Sequence, residues 1–134
     1  MIADDSYQEL NQDVLKTINQ GLEWLKAQQG DDGLFQHHPG MTALAVTAFL
    51  RHPENEYAEA DHPFVQKAIQ ALLTMQQPSG AIYNAEQQPA LPNYNTSVSL
   101  MALSSTDNPE YKLAIAKAQS FIKSLQIQDP DSVY

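Results

Sequence analysis

The stretch Gln20–Phe35 reads QGLEWLKAQQGDDGLF, and it returns twice along the chain in altered form. The second copy, Lys67–Tyr83, reads KAIQALLTMQQPSGAIY, and a third begins with KAQSFIKSLQ at Lys117–Gln126. In each copy a periodic apolar segment leads to a Gln, and the first two copies continue into a turn that contains Gly. The copies begin roughly 50 residues apart, a spacing typical of proteins built from stacked supersecondary units.

The apolar part of each copy has the spacing of an amphipathic helix. Val14, Ile18 and Leu22 recur every fourth residue, which predicts a helix over about residues 11–29 that Gly30 ends. A second long helix is predicted to open with Pro63 in its first turn, and a last one to follow Pro109. These three helices would bury one face each.

Two shorter segments separate the amphipathic helices. Residues 42–50 read TALAVTAFL, which is apolar on nearly every side and predicts a helix buried on most sides, with Thr42 as its N-cap. Residues 96–103 are the counterpart in the second copy. No segment of any length alternates like a strand. The sequence therefore predicts an all-α fold of stacked helical hairpins with about five main helices.

The repeat also sets the expected organisation. We expect one domain over residues 1–134, with repeat 1 at about 11–52, repeat 2 at about 62–105 and the start of repeat 3 at about 109–128. The third long helix has no partner helix before Tyr134, so the chain is expected to be part of a longer array. An incomplete array leaves apolar flanks, which favour self-association or packing against further repeats.

The composition excludes several partners. Of 134 residues 43% are apolar and 17% charged, which is typical of a globular protein, and the net charge is −9. The 7 Lys and Arg residues are scattered among 16 acidic ones, so no basic surface for nucleic acid or an anionic membrane is expected. No apolar run would span a membrane, and no signal-peptide pattern opens the chain, so the compartment stays open.

The copies resemble the repeat of the squalene and terpenoid cyclases and, more loosely, that of protein prenyltransferase β subunits. That motif has a basic residue, a small residue, an aromatic and an aliphatic residue before a Gln, then a Gly and a Trp. Gln20 departs from the basic position and Ala71 from the aromatic one. Ile82-Tyr83 stands where the Trp belongs in the second copy, and Pro130 where the third Gly is expected. The positions that carry the resemblance are Gly21, Trp24, Gln29, Gly33, Phe35, Lys67, Ala68, Gln76, Gly80, Tyr83, Lys117, Ala118, Phe121 and Gln126.

The resemblance implies a partial α/α toroid, in which outer and inner helices alternate and the Gly turns connect them. Gly33 and Gly80 suit a turn that needs positive φ, and the side-chain amides of Gln29 and Gln76 can bond backbone groups of the turn. The aromatic residue after the Gly can pack back on the outer helix.

The catalytic residues that the resemblance implies are incomplete in this chain. Squalene-type cyclases protonate an alkene with an Asp-x-Asp-Asp acid, to which only Asp129 and Asp131 in DPDS come near, and a loop turn is the alternative interpretation. Prenyltransferases hold zinc with Asp, Cys and His, but this chain has no cysteine. The remaining metal candidates are Asp32, His37 and His38, which also suit a solvated loop. We expect no metal site and no cofactor.

Two functions follow as hypotheses. The first is a non-catalytic segment of a larger toroid protein that binds an apolar ligand, such as an isoprenoid, or a partner chain. The second is the amino-terminal part of a terpenoid cyclase whose acid lies outside this chain. In that case Trp24, Phe49, Tyr94 and Met101 are candidates for the cavity wall, because aromatic faces stabilise cations. Ordinary core packing is the alternative for all four.

Overall fold

The computed structural model describes residues 2–126, with side chains from residue 6 onward. The regular secondary structure of these residues is helical, with two 3₁₀ turns at Glu59–Asp61 and Pro109–Tyr111 and no β-strand. The α-helices are α1 (Ile2–Lys26), α2 (Pro39–Leu50), α3 (Pro63–Thr74), α4 (Pro92–Ser104) and α5 (Lys112–Ser124). The all-α prediction is therefore confirmed. None of the helices between residues 2 and 126 is long and apolar enough to cross a membrane.

The predicted bounds of the first helix were wrong at both ends. α1 begins at Ile2, well before Asn11, and ends at Lys26 rather than at Gly30. Residues 6–14 are exposed, so this part of α1 has no buried stripe that a periodicity argument could detect. Gly30 belongs to the following turn, where its amide donates to the carbonyl oxygen of Leu34 at 2.8 Å.

The inner helix of the first repeat also begins earlier than predicted. Its N-cap is His38, whose Nδ1 accepts from the amides of Gly40 at 3.0 Å and Met41 at 3.4 Å. Thr42 is not the cap. Its hydroxyl accepts from the amide of Phe35 at 2.8 Å and donates to the carbonyl of His38, so it fastens the preceding turn to α2.

The helices form an inner pair with outer helices packed on it. α2 and α4 make the most extensive helix pairing, α3 contacts both, and α1 and α5 pack on α2 and α4 respectively. Gly40 allows the close approach, because a Cβ there would lie 2.5 Å from Asn95 Oδ1 and 2.7 Å from the Tyr94 ring. The core between the layers includes Phe49 and Ile69, both fully buried.

The two turns that follow the outer helices are copies of each other. In the first, Gln29 Nε2 donates to the carbonyl oxygens of Gly33 and Phe64, each at 2.9 Å. In the second, Gln76 Nε2 donates to Gly80 at 3.2 Å and to Ala114 at 2.9 Å. The bond within the turn agrees with the sequence expectation. The second bond, which reaches the next outer helix, was not foreseen.

The glycines of these turns are contact points as well as turn residues. Gly33 has φ 84° and Gly80 has φ 90°, as expected from the sequence. A Cβ on Gly33 would lie 2.9 Å from the carbonyl oxygen of Lys67, and Gly80 faces the carbonyl oxygen of Lys117 in the same way. The first residue of each later copy thus packs on the Gly of the copy before it, through its backbone rather than its charge.

In the second repeat the structure decides between Ile82 and Tyr83 for the position after the turn. Phe35, 2% exposed, pairs in an isolated antiparallel bridge with Gln29, and the matching bridge joins Gln76 to Ile82. Ile82 is fully buried, whereas Tyr83 is half-buried. The position of Phe35 is therefore taken by Ile82, because the two turns have the same length from Gln to the bridge.

Replacing the turn glycine should destabilise the protein. We expect Gly33→Ala to lower the free energy of unfolding by about 1 to 3 kcal/mol, because alanine is strained at positive φ and its Cβ would press on Lys67. Gly21→Ala is the matched control. Gly21 lies inside α1 with no atom within 4 Å of an added Cβ, so this change should raise stability by about 0.5 to 1 kcal/mol. Urea unfolding of both variants measures this. Equal effects would contradict the conclusion that Gly33 is needed for its positive φ and for its contact with Lys67.

Substitution of the Gln29 side-chain amide, which bridges the turn and α3, should also destabilise the protein. Gln29→Glu replaces the NH₂ group, which donates twice, by a carboxylate oxygen that faces two carbonyl oxygens, so we expect the free energy of unfolding to fall by about 1 to 3 kcal/mol at neutral pH. Gln12→Glu makes the same change at an exposed position of α1 and should have little effect. Denaturation of both variants followed by circular dichroism checks this. If Gln29→Glu unfolds like Gln12→Glu, the bridge does not hold the repeats together.

Candidate binding groove

An apolar groove of about 530 Å³ opens where α1, the first turn and α2 meet. Trp24 is 66% exposed, Met41 48% and Leu44 40%, so large apolar side chains face solvent here. No residue of the lining is charged. The lining consists of Trp24, Leu25, Gln28, Phe35, Gln36, Met41, Leu44, Ala45 and Ala48.

The groove exists because α2 has no polar face. One side of α2 packs into the core through Val46 and Phe49, and a second side lies against α4 through Gly40. The third side remains open and is as apolar as the others. A helix that is apolar all round is normally covered on all sides, so the open side is the feature that needs an explanation.

The register between the two inner helices follows from one repeated hydrogen bond. The amide of Phe35 donates to Thr42 Oγ1 at 2.8 Å, and the amide of Ile82 donates to Thr96 Oγ1 at 2.9 Å. Thr42 in α2 therefore corresponds to Thr96 in α4. On this register each position of α2 has a defined counterpart in α4.

The open side of α2 corresponds to a covered side of α4. Met41 and Ala48, which are exposed, correspond to Asn95 and Ala102, which are fully buried. Asn95 is covered by α2 itself, since its Oδ1 lies beside Gly40. In the second repeat, therefore, the preceding inner helix occupies the position that is empty beside α2.

The outer helices show the same asymmetry. Ala68 in α3 and Ala118 in α5 hold the small position of the repeat and are fully buried, next to residues that touch the preceding Gly turn. Gly21 holds this position in α1 and is exposed, with nothing within 4 Å of an added Cβ. We therefore name this open side of α1 and α2, from Gly21 and Trp24 to Met41, Leu44 and Ala48, the leading edge.

Four residues were candidates for a cavity wall: Trp24, Phe49, Tyr94 and Met101. Of these, Phe49 belongs to the hydrophobic core. It is fully buried, with its ring centroid 5.0 Å from that of Phe64. Trp24 lies on the leading edge. Tyr94, 45% exposed, lies on α4 with its ring beside Gly40, and Met101 on the same helix is half-buried. Neither residue lines the groove.

The polar residues of the first turn do not converge on one point. His37 Nδ1 lies 2.6 Å from Asp32 Oδ2, and both side chains are exposed. The hydrogen bond to Asp32 raises the pKa of His37, and the same bond, with the amide of Leu34, lowers the pKa of Asp32. His38 points instead at the amides that open α2. The described residues hold no group of three or more side chains suited to a metal ion.

Sequence reasoning missed a buried polar cluster beside the second repeat. The hydroxyl of Tyr111 donates to one carboxylate oxygen of Glu59, and Asn108 Nδ2 donates to the other at 3.3 Å. Burial and the neighbouring carboxylate raise the pKa of Tyr111 to about 12. The cluster ties the turn at Glu59–Asp61 to the start of α5. Residues so far apart in sequence carry no local signal of such a contact.

The catalytic candidates of the sequence, Asp129 and Asp131, lie outside the described residues. No family model, no curated protein and no solved structure matches this chain. The resemblance to the cyclase and prenyltransferase repeats is therefore carried by the residues quoted above alone.

The pair in the first turn should respond to pH in a defined window. The pKa shifts imply that the pair stabilises the folded protein at intermediate pH. This stabilisation is lost as pH rises through the raised pKa of His37 and as pH falls through the lowered pKa of Asp32. Asp32→Asn should return the pKa of His37 toward its ordinary value of 6.5, whereas Asp31→Asn should leave it in place. A proton NMR titration of the His37 ring measures this. An unchanged pKa in Asp32→Asn would mean that the pair does not form in solution.

Proposed function

We propose that this chain is a non-catalytic module of helical repeats that binds an apolar surface along its leading edge. The observation that carries the proposal is the contrast between exposed Met41 and Ala48 and their buried counterparts in α4. Trp24 and Leu44 extend the same apolar surface. The closed toroid that the sequence resemblance implies is part of this proposal, with further repeats beyond those described.

The chemistry of the groove favours binding over catalysis. Its lining offers the side-chain amides of Gln28 and Gln36 and no group that could act as acid, base or nucleophile. The exposed Trp24, Met41 and Leu44 supply area for hydrophobic contact at about 25 cal/mol for each Å² removed from water. An uncharged apolar surface is thus the complement of the groove.

A fluorescent apolar dye tests the proposal. We expect Nile red to bind saturably to the intact chain and to gain fluorescence, because the groove excludes water from the dye. Leu44→Glu should weaken binding about tenfold or more, since it places a charge in the apolar lining. Leu113→Glu makes the same change at a 68% exposed position on α5 and should bind like the unmodified chain. No binding, or equal loss in both variants, would overturn the proposal.

A terpenoid cyclase is the second candidate, favoured by the aromatic lining of the groove. Trp24 and Phe35 both border it, and ring faces can stabilise a carbocation. In this case the acid would be supplied from outside residues 2–126. Incubation of the intact chain with squalene, followed by mass spectrometry, decides between the two. A cyclised product would contradict the non-catalytic function, and farnesol that displaces Nile red without turnover would identify an isoprenoid as the ligand.

A further inference from the structure

We propose that the occupant of the leading edge is an α-helix with an uncharged contact face that carries small residues at positions i, i+3 and i+7. This inference rests on the proposed function and names its partner. The helix would lie on α2 as α2 lies on α4. The internal repeat supplies the template, because the chain contains one complete copy of the interface.

The template shows what the partner face must look like. Gly40, Ala43 and Thr47 stand at i, i+3 and i+7 on α2 and are all buried. This spacing puts Ala43 and Thr47 on the same face of the helix as Gly40, which touches α4. The close approach depends on their size, since a Cβ on Gly40 would already meet Asn95 Oδ1 at 2.5 Å. A partner with larger residues at these positions would be held away from α2.

The leading edge is more apolar than its template. Where α4 has Asn95 and Ser99, α2 has the exposed Met41 and the buried Ala45 at the floor of the groove, so the partner needs no polar group to match them. Two neutral amides are the polar side chains of the lining. A charged residue in the partner face would lose its hydration without a counter-charge, which excludes helices that carry charges on the contact face.

The outer part of the leading edge indicates what precedes the partner helix. In α3 and α5 the carbonyl oxygens of Lys67 and Lys117 touch the Gly of a preceding turn. Gln20 holds this position in α1, beside the uncovered Gly21. The partner helix therefore follows a Gly turn of the same kind, which would pack on Gln20 and Gly21.

A second copy of this chain does not supply this partner in the same geometry. Its α4 would have to lie against α2, but α4 is followed by α5, which packs on α4 as α3 packs on α2. That α5 would occupy the space of α1. The partner is thus a helical hairpin that ends in its inner helix.

The chain provides its own probe for this interface. A peptide of residues 36–51, QHHPGMTALAVTAFLR with a short lysine tail, contains α2 and no Trp, while Trp24 is the single Trp of the intact chain. We expect the peptide to shift Trp24 emission to shorter wavelength saturably. A control peptide with Gly40→Leu and Ala43→Leu, which fills the small positions, should bind at least about tenfold more weakly.

Matched variants of the intact chain localise the binding. Leu44→Gln and Met41→Gln should each weaken the peptide by about tenfold, whereas Leu113→Gln should not. Equal affinity of the two peptides, or an equal loss in Leu44→Gln and Leu113→Gln, would overturn the inference. Nile red binding without peptide binding would overturn the helix as occupant and leave the proposed function standing. Loss of both would overturn both.

Discussion

The structure depends first on the side-chain amides of the Gln residues that follow α1 and α3. Gln29 holds its own turn closed through Gly33 and at the same time reaches the backbone of α3 at Phe64. One NH₂ group, with two donors, thereby fixes both the shape of the turn and the distance to the next repeat. Since these groups are partly buried, a misplaced neighbour would leave donors and acceptors unpaired at a cost of about 1 to 3 kcal/mol each.

The positive-φ glycine follows from the same constraint. A turn short enough for the amide to span must reverse at Gly33, and the carbonyl of Lys67 then packs where a side chain would otherwise be. The Thr42 hydroxyl fastens the end of the turn to α2. Each repeat is thus positioned by contacts to the one before it, which is why the first repeat presents an open edge and the second does not.

The leading edge is a contiguous exposed apolar surface, which differs from the exposure of single apolar residues that most proteins show. Scattered apolar residues on a surface need no explanation, but Trp24, Met41 and Leu44 are contiguous and line one groove. The titratable pair of Asp32 and His37 lies in the turn, outside this lining, and acts within its own loop. The apolar groove and the titratable pair are therefore two separate features of the surface.

The sequence by itself determined the helical class, the hairpin order and the backbone of the turns, because periodicity, Gly positions and Gln spacing are local. It misplaced the start of α1, whose first turns are exposed, and the cap of α2, since His38 is not among the preferred N-cap residues. It left the counterpart of Phe35 open between Ile82 and Tyr83, and the structure places Ile82 there. Only the tertiary structure decided which apolar residues are core and which are open. Phe49 and Trp24 are both large aromatic residues on helices, and the sequence does not distinguish them. Phe49 is buried and Trp24 is exposed because burial depends on which other elements pack against each residue.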